Sequence, residues 1–572
     1  MRTAEITTSE DNAQLIERLT TIVGSRHVLV DQQRTRRYRT GFRFGQGPAL
    51  AVVRPGNLVE QWRVLRACVA ADKIVIFQAA NTGLTGGSTP HGVDYDRDII
   101  IVSTVRIATF HLIADGRQVI CLPGVTLNQL ENALRPLMRA PHSVIGSSCI
   151  GASVFGGICN NSGGSLIQRG PAFTQLALFA TIDESRIVSL VNHLGINLGE
   201  DPEAILDRLD RGSFKDEDID CNRGRIASDD CYREHVREVD AETPARFNAD
   251  PRRLFEASGS AGKLALFAVR LDTFELDERP AVFYIGSNEP TELTAIRRHI
   301  LKTFESLPIS AEYIHREAFN IAEKYGKDMF LAIRYLGTAR LPALFALKSL
   351  IDSLASRSRF LPPDLSDKLM QLAGQLFPPH IPQRMKDFRN RFEHHLMIEI
   401  CGKGLLEARS YFDSIFPSGH GDFFECTTDE GIKAFLHRFA VAGAAIRYRS
   451  IHRDMVEDII SLDIALRRND PDWFEHLPAD IEGPIRHRLY YGHFFCHVFH
   501  QDYIITKGHD VAGLEHKMWQ LLDERGAEYP AEHNVGHLYK AKAALVTHYK
   551  DLDPRNALNP GLGQTSKRAN WH

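Results

Sequence analysis

The chain has 572 residues, 43% hydrophobic and 24% charged, with a formal net charge of −4. That length calls for two to four domains. The composition excludes a disordered or fibrous chain, and the charge excludes nucleic acid as a main partner, which would draw on a basic domain.

Nine cysteines without a CxxC pair read as reduced thiols of a cytosolic compartment. No apolar h-region follows Met1, and no run of about 18 apolar residues occurs, so neither a signal peptide nor a spanning helix is expected.

In chain order, Ala49 to Val53 reads as a buried strand, and Pro55-Gly56-Asn57 as a turn ending in a helix cap. Leu58 to Ala71 carries helical periodicity, with Leu58, Trp62, Leu65 and Val69 on one face. A strand at Lys73 to Phe77 leads into Ala79-Ala80-Asn81-Thr82-Gly83-Leu84-Thr85-Gly86-Gly87-Ser88, and further strands are expected at Asp98 to Val102 and Gln118 to Leu122. Residues 201–250 read as a charged, exposed excursion, packing resumes across Ala261 to Val269, and Phe283-Tyr284-Ile285 opens a second domain. From 313 to 391 the pattern is helical and basic, with thirteen Lys/Arg against seven Asp/Glu. Strand character returns at Leu396 to Ile400 and across Tyr490 to Ile505.

The loop 79–88 lets backbone N–H groups approach a pyrophosphate without Cβ interference, with Thr82, Thr85 and Ser88 as hydroxyl donors. Alone it is equally a surface turn. A second small-residue tract, Gly146 to Ser165, adds six glycines that packing does not explain but a large planar ligand does. No strand–GxGxxG–helix is present, which disfavours NAD. With Val53-x-Pro55, Gly262-x-Leu264 and Asp553-Pro554-x-Asn556-x-Leu558-Asn559-Pro560-Gly561, these segments resemble FAD-binding proteins of the vanillyl-alcohol oxidase type.

The resemblance implies an α+β fold: a two-subdomain FAD-binding domain (1–272 and 523–572) with an inserted α+β cap domain (273–312 and 392–522). A basic helical membrane-contacting segment (313–391) would interrupt the cap, and 427–453 would add to the membrane contact. It also implies that Ala79, Ala80, Asn81, Thr82, Gly83, Gly87 and Ser88 hold the pyrophosphate. Gly146, Ser153 and Gly163 would line the flavin and adenine path, and Leu266 would meet the cofactor through its backbone. Covalent members carry a His in the loop; this loop has none, so non-covalent FAD is implied.

Two histidine-rich segments offer acid–base chemistry: Tyr490 to His500, and Tyr529-Pro530-Ala531-Glu532-His533-Asn534-Val535-Gly536-His537. Taken singly, each histidine is also readable as a satisfied core residue. Gly492-His493 with His500, then Glu532-His533-x-x-Gly536, resembles the FAD-dependent 2-hydroxy-acid dehydrogenases. In metal-using relatives the positions of His493, His500 and Glu532 bind a divalent ion such as Zn, and that of His533 is the base. Arg438 and Arg447 are candidates for the substrate carboxylate. Relatives break the first motif with Gly and Asp, whereas here it reads Phe-Phe-Cys-His-Val-Phe. On an unbroken strand residues seven apart face opposite sides, so convergence of His493 and His500 needs a bulge or bend.

Met329 to Leu336, Arg340 to Leu350 and Met385 to Arg391 mix cations with aromatics, as helices on anionic bilayers do. A solvated basic face is the plainer reading. Tyr38 to Arg43, Pro141 to Gly146, Ala322 to Asp328, Ile464 to Asp470 and Tyr490 to His500 resemble the bacterial respiratory D-lactate dehydrogenase family. This resemblance implies D-lactate, a membrane quinone and an anionic lipid surface as partners, at the cytoplasmic face of the bacterial inner membrane. The alternatives are another D-2-hydroxy acid, such as 2-hydroxyglutarate, or a non-catalytic flavin-fold protein at the membrane surface.

Overall fold

Runs of β-branched and aliphatic residues, buried on both faces, build the first sheet. Its strands are β1 (Val28–Leu29), β2 (Ala51–Val53), β3 (Ile74–Gln78) and β4 (Ile99–Ser103), in the order β1-β2-β4-β3. β2, β4 and β3 run parallel, and the crossover from β2 to β3 is the helix Leu58–Ala70, which Asn57 caps by accepting from the Glu60 N–H. Parallel pairing requires such a crossover. The computed structural model describes residues 2–142, 151–220, 224–276, 280–337 and 365–572.

A second, antiparallel sheet has the order β5-β6-β10-β8-β9. It comprises β5 (Phe110–Ile113), β6 (Gln118–Cys121), β8 (Ala177–Ile182), β9 (Val188–Asn192) and β10 (Ala265–Asp272). β7 (Arg139–Ala140) pairs with β11 (Phe274–Glu275) in a separate ribbon. Val53, Val75 and Val102 of the first sheet share one core with Ile120, Leu178 and Phe267 of the second. The C-terminal region closes this core: Leu558 bridges Val75 in parallel, and Asn559 Nδ2 donates to the Gly87 carbonyl at 2.7 Å.

The cap is a seven-stranded antiparallel sheet, β15-β12-β14-β13-β17-β18-β16. Its strands are β12 (Ala281–Ser287), β13 (Ser310–His315), β14 (His394–Ile400), β15 (Gly421–Glu425), β16 (Val456–Ala465), β17 (Ile485–His493) and β18 (Val498–Thr506). Alternation along the strands sends Phe283, Tyr313 and Ile398 to one core and Tyr284, Ile314 and Met397 to another.

Two expectations change here. The interval 201–250 is not an exposed excursion: Leu206 and Leu209 join the core between the first two sheets, and Tyr232, Val236, Val239 and Ala245 cover one face of the cap. Its charged residues hid short helices whose large apolar side chains point inward. Residues 313–325 are cap interior, because β13 sits centrally and Phe319 and Ala322 of the helix Arg316–Tyr325 are fully buried. Apolar exposure begins beyond them, at Tyr335, Leu369, Leu372, Leu376 and Phe377. Among the described residues no helix is long and apolar enough to cross a membrane.

Candidate active site

The strand character expected across Tyr490–Ile505 resolves into a hairpin. β17 ends at His493, a 3₁₀ turn occupies Phe494–Cys496, and His497 takes a left-handed conformation (φ 57°) before β18. His497 fits there because its Nδ1 hydrogen-bonds the Arg467 carbonyl at 2.8 Å. The buried Arg297 braces the same turn by donating to the Phe495 carbonyl. Gly492 permits the close pairing, since a Cβ there would lie 2.4 Å from the Val498 oxygen. His493 pairs with Val498 and Tyr491 with His500, so the two histidines are diagonal neighbours on one face.

Glu532 completes the group. His493 Nε2 lies 3.3 Å from His500 Nε2 and 3.5 Å from Glu532 Oε2. The three residues offer ligand atoms all within 4.8 Å of one another. Each is oriented from behind: His493 Nδ1 meets Glu312 Oε1 at 2.6 Å, His500 Nδ1 lies 3.4 Å from Asp463 Oδ1, and Glu532 Oε1 pairs with Arg246 Nη2 at 2.8 Å. Carboxylates behind imidazoles fix the tautomer and leave the second nitrogen free to coordinate. This donor set suits a divalent ion such as Zn²⁺.

The electrostatics agree with this division. Burial opposes charging Glu532, yet Arg246 and His493 hold its carboxyl well below the usual range. Burial likewise opposes ionising Glu312 and Asp463, but Arg438 and His493 depress the first, while His533 and His500 depress the second. Burial works against protonating His493, but Glu312 and Glu532 outweigh it and raise its pKa. His500, where burial prevails, is lowered.

His533 stands at the rim, its side chain 39% exposed, with Nδ1 3.3 Å from Asp463 Oδ2 and its ring 6.2 Å from that of His500. Asp463 also accepts the backbone N–H groups of Glu532 (2.7 Å) and His533 (3.1 Å). Arg438 reaches this cluster through Glu312, Nε to Oε2 at 2.5 Å, and its Nη2 is buried without a hydrogen-bond partner among the described residues. Arg447 is not brought here. Asp367 (2.7 Å) and Asp328 (2.8 Å) engage its buried guanidinium, which ties helices together.

The glycine loop lies against the same segment. Gly536 (φ 53°) is needed because a Cβ would sit 2.1 Å from the Thr85 oxygen, and the His537 N–H donates to that oxygen at 3.0 Å. No backbone N–H from Ala80 to Ser88 donates to another described residue, and a Cβ on Gly83 would meet only open space. Unpaired amides on an open loop fit a pyrophosphate. Within that loop, Asn81 takes φ 53° and donates to the Thr40 carbonyl, while the Ser88 hydroxyl reaches Asn81 Oδ1. Ala79 and Thr82 are half-buried beside them. Ser153 caps the helix Val154–Cys159, Gly163 lies against Glu532 and Arg246, and the buried Leu266 turns its carbonyl to Gln61. Gly146 lies outside the described residues.

Arg246, Glu312 and Asp463 had no sequence signal. Each is a lone charged residue far from the motifs it serves.

Two family models match: an FAD binding domain over residues 49–182, and "D-lactate dehydrogenase, membrane binding" over 282–571. Among solved structures, 4-ethylphenol oxidase from Gulosibacter chungangensis superposes with a TM-score of 0.57 at 12% identity, covering 97% of each chain. That likeness establishes the vanillyl-alcohol oxidase-type fold. The quinone-dependent D-lactate dehydrogenase of Escherichia coli is 59% identical over 99% of both chains. The enzyme of that name from Haemophilus influenzae is 59% identical over 98% of this chain and 99% of its own. With nearly the whole length aligned at that identity, this chain belongs to the quinone-dependent D-lactate dehydrogenase family.

Proposed function

We propose that the chain oxidises D-lactate to pyruvate and passes the electrons to a membrane quinone, with His533 as the base. The observation that carries this reading is the convergence of His493, His500, Glu532 and His533 beside a loop of unpaired amides. Overall, D-lactate gives two electrons and two protons, and the quinone leaves as quinol.

FAD, held non-covalently along Ala79 to Ser88, supplies the two-electron acceptor when bound. His533 takes the hydroxyl proton on Nε2, because Asp463 occupies the Nδ1 side and orients the ring. Arg438 offers Nη2 to the substrate carboxylate, while Glu312 pairs with its Nε. A divalent ion on His493, His500 and Glu532 would polarise the bound hydroxy acid as a Lewis acid.

The protein is a peripheral membrane protein: its cap matches a membrane-binding family model, and no described helix spans a bilayer. We assign it to the cytoplasmic face of the bacterial inner membrane. There the basic region from Lys327 to Arg391 would meet anionic lipid, with Tyr335, Leu372 and Leu376 exposed beside Arg334 and Lys368.

Anaerobic mixing with a panel of D- and L-2-hydroxy acids, followed by flavin absorbance, tests the reading. Bleaching by D-lactate well ahead of D-2-hydroxyglutarate and the L-acids is expected. No bleaching by D-lactate would refute it.

A further inference from the structure

The cap sheet face that carries the site also holds a second polar group, which the mechanism leaves unused. Tyr284, His395 and His437 are each no more than 1% exposed. The Tyr284 hydroxyl and both ring nitrogens of His395 and His437 have no hydrogen-bond partner among the described residues. The Phe319 backbone lies against His437 without meeting the geometry of a hydrogen bond. His380, with an unpartnered Nε2, lies 6.3 Å from His437.

Aromatic rings surround these atoms. Phe319 is 4.1 Å from His437 and 5.7 Å from His395, and Phe424 stacks on Tyr284 at 5.1 Å. Phe330 packs on His380 at 4.6 Å. Unsatisfied buried polar atoms cost roughly 1–3 kcal/mol each, so several in one aromatic nest demand an occupant or a role.

Position supplies the role. Phe330 belongs to the helix Lys327–Leu336, whose Tyr335 is 77% exposed, and His380 follows the exposed Leu376 and Phe377. This end of the group lies nearest the exposed apolar side chains of Tyr335, Leu376 and Phe377, the surface proposed above to meet the membrane. At the other end, His437 is followed in its helix by Arg438, which binds Glu312, which binds His493. Tyr284, Met397, Glu312 and His493 form one cross-strand row, so three strand spacings, roughly 14 Å, separate Tyr284 from the cluster.

We propose that Tyr284, His395 and His437 form the headgroup site of the quinone, entered from the membrane side past Phe330 and His380. The proposal rests on the quinone-dependent reading of the chain and specifies where that acceptor binds. A quinone ring is flat and apolar with a carbonyl at each end, and it matches aromatic walls with hydrogen-bond donors between them. Neutral imidazoles and a phenol are such donors. Burial keeps the imidazoles neutral, pushing His437 down to about 3 and His395 well below its ordinary value.

The test uses FAD-loaded wild type, Tyr284→Phe and His395→Phe, with ubiquinone-1 and ferricyanide as alternative acceptors. Flavin bleaching by D-lactate and ferricyanide reduction should stay at wild-type rates. kcat/KM for ubiquinone-1 should fall about tenfold for each hydrogen bond removed. An azido-quinone photolabel should attach within 281–287, 394–400 or 428–439 and be displaced by ubiquinone-1. Unchanged quinone kinetics with labelling elsewhere would overturn the site, and would leave ordered water as the partner of these atoms. If His395→Phe does not accumulate, Tyr284→Phe, which removes one oxygen, decides the matter. Failure of wild type to bleach with D-lactate would instead sink the lactate reading itself.

Discussion

His493 and His500 share a sheet face with His395, and His437 packs on that same face from a covering helix. The first pair is backed by carboxylates and opposed by Glu532. The second pair has aromatic walls and no partner among the described residues. Partnering separates two of them: Glu312 and Glu532 lift the pKa of His493 despite burial, whereas burial, with His380 adding to it, drives His437 down to about 3. One face therefore carries a charged pole, the proposed hydroxy-acid site, and a neutral pole, the proposed quinone site.

The strongest challenge to the charged pole is His533→Ala. We expect flavin reduction by D-lactate to slow by about 10²–10⁴, the usual worth of a general base; an unchanged rate removes His533 from the chemistry. Dialysis against a chelator should abolish most activity and added Zn²⁺ should restore it, whereas full activity in metal-free enzyme would dismiss the ion. Glu312→Gln, which keeps shape but removes the charge behind His493 and beside Arg438, should cost about 10–100-fold. If it costs nothing, the backing carboxylates are ornamental and the contrast between the two pairs loses its meaning.

The neutral pole gives the smallest effect, seen in stability. His437 and His380 have folded pKa values lowered to about 3 and about 4, mainly by burial. The unfolded chain therefore binds protons first as pH falls below about 6.5, so their contribution is complete above that value and shrinks towards pH 4. The slope is about 1.4 kcal/mol per pH unit for each group. His437→Phe should flatten the decline in urea midpoint between pH 7 and pH 5; an unaltered slope would show that His437 titrates normally.

Much of this was legible in the sequence, and the reasons are local. The strand into Ala79–Ser88 and the capped helix at Leu58 announce themselves by apolar periodicity and by Asn57. The pairing of His493 with His500 was only half legible, because the turn between them contains no glycine or proline and uses a left-handed His497 instead. Arg246, Glu312 and Asp463 were invisible. Their roles arise when strands and loops from three distant parts of the chain meet, and no short window records that meeting.

The pairing of Leu558 with Val75, and of Asn559 with Gly87, has a consequence for biosynthesis. The strand leading into the cofactor loop is made early, yet its neighbour is translated only after the entire cap. While the ribosome is still at work, the nascent FAD domain must wait with one flank bare, exposed to chaperones or to misassembly. That flank of the strand closes only once residues 558 and 559 have emerged.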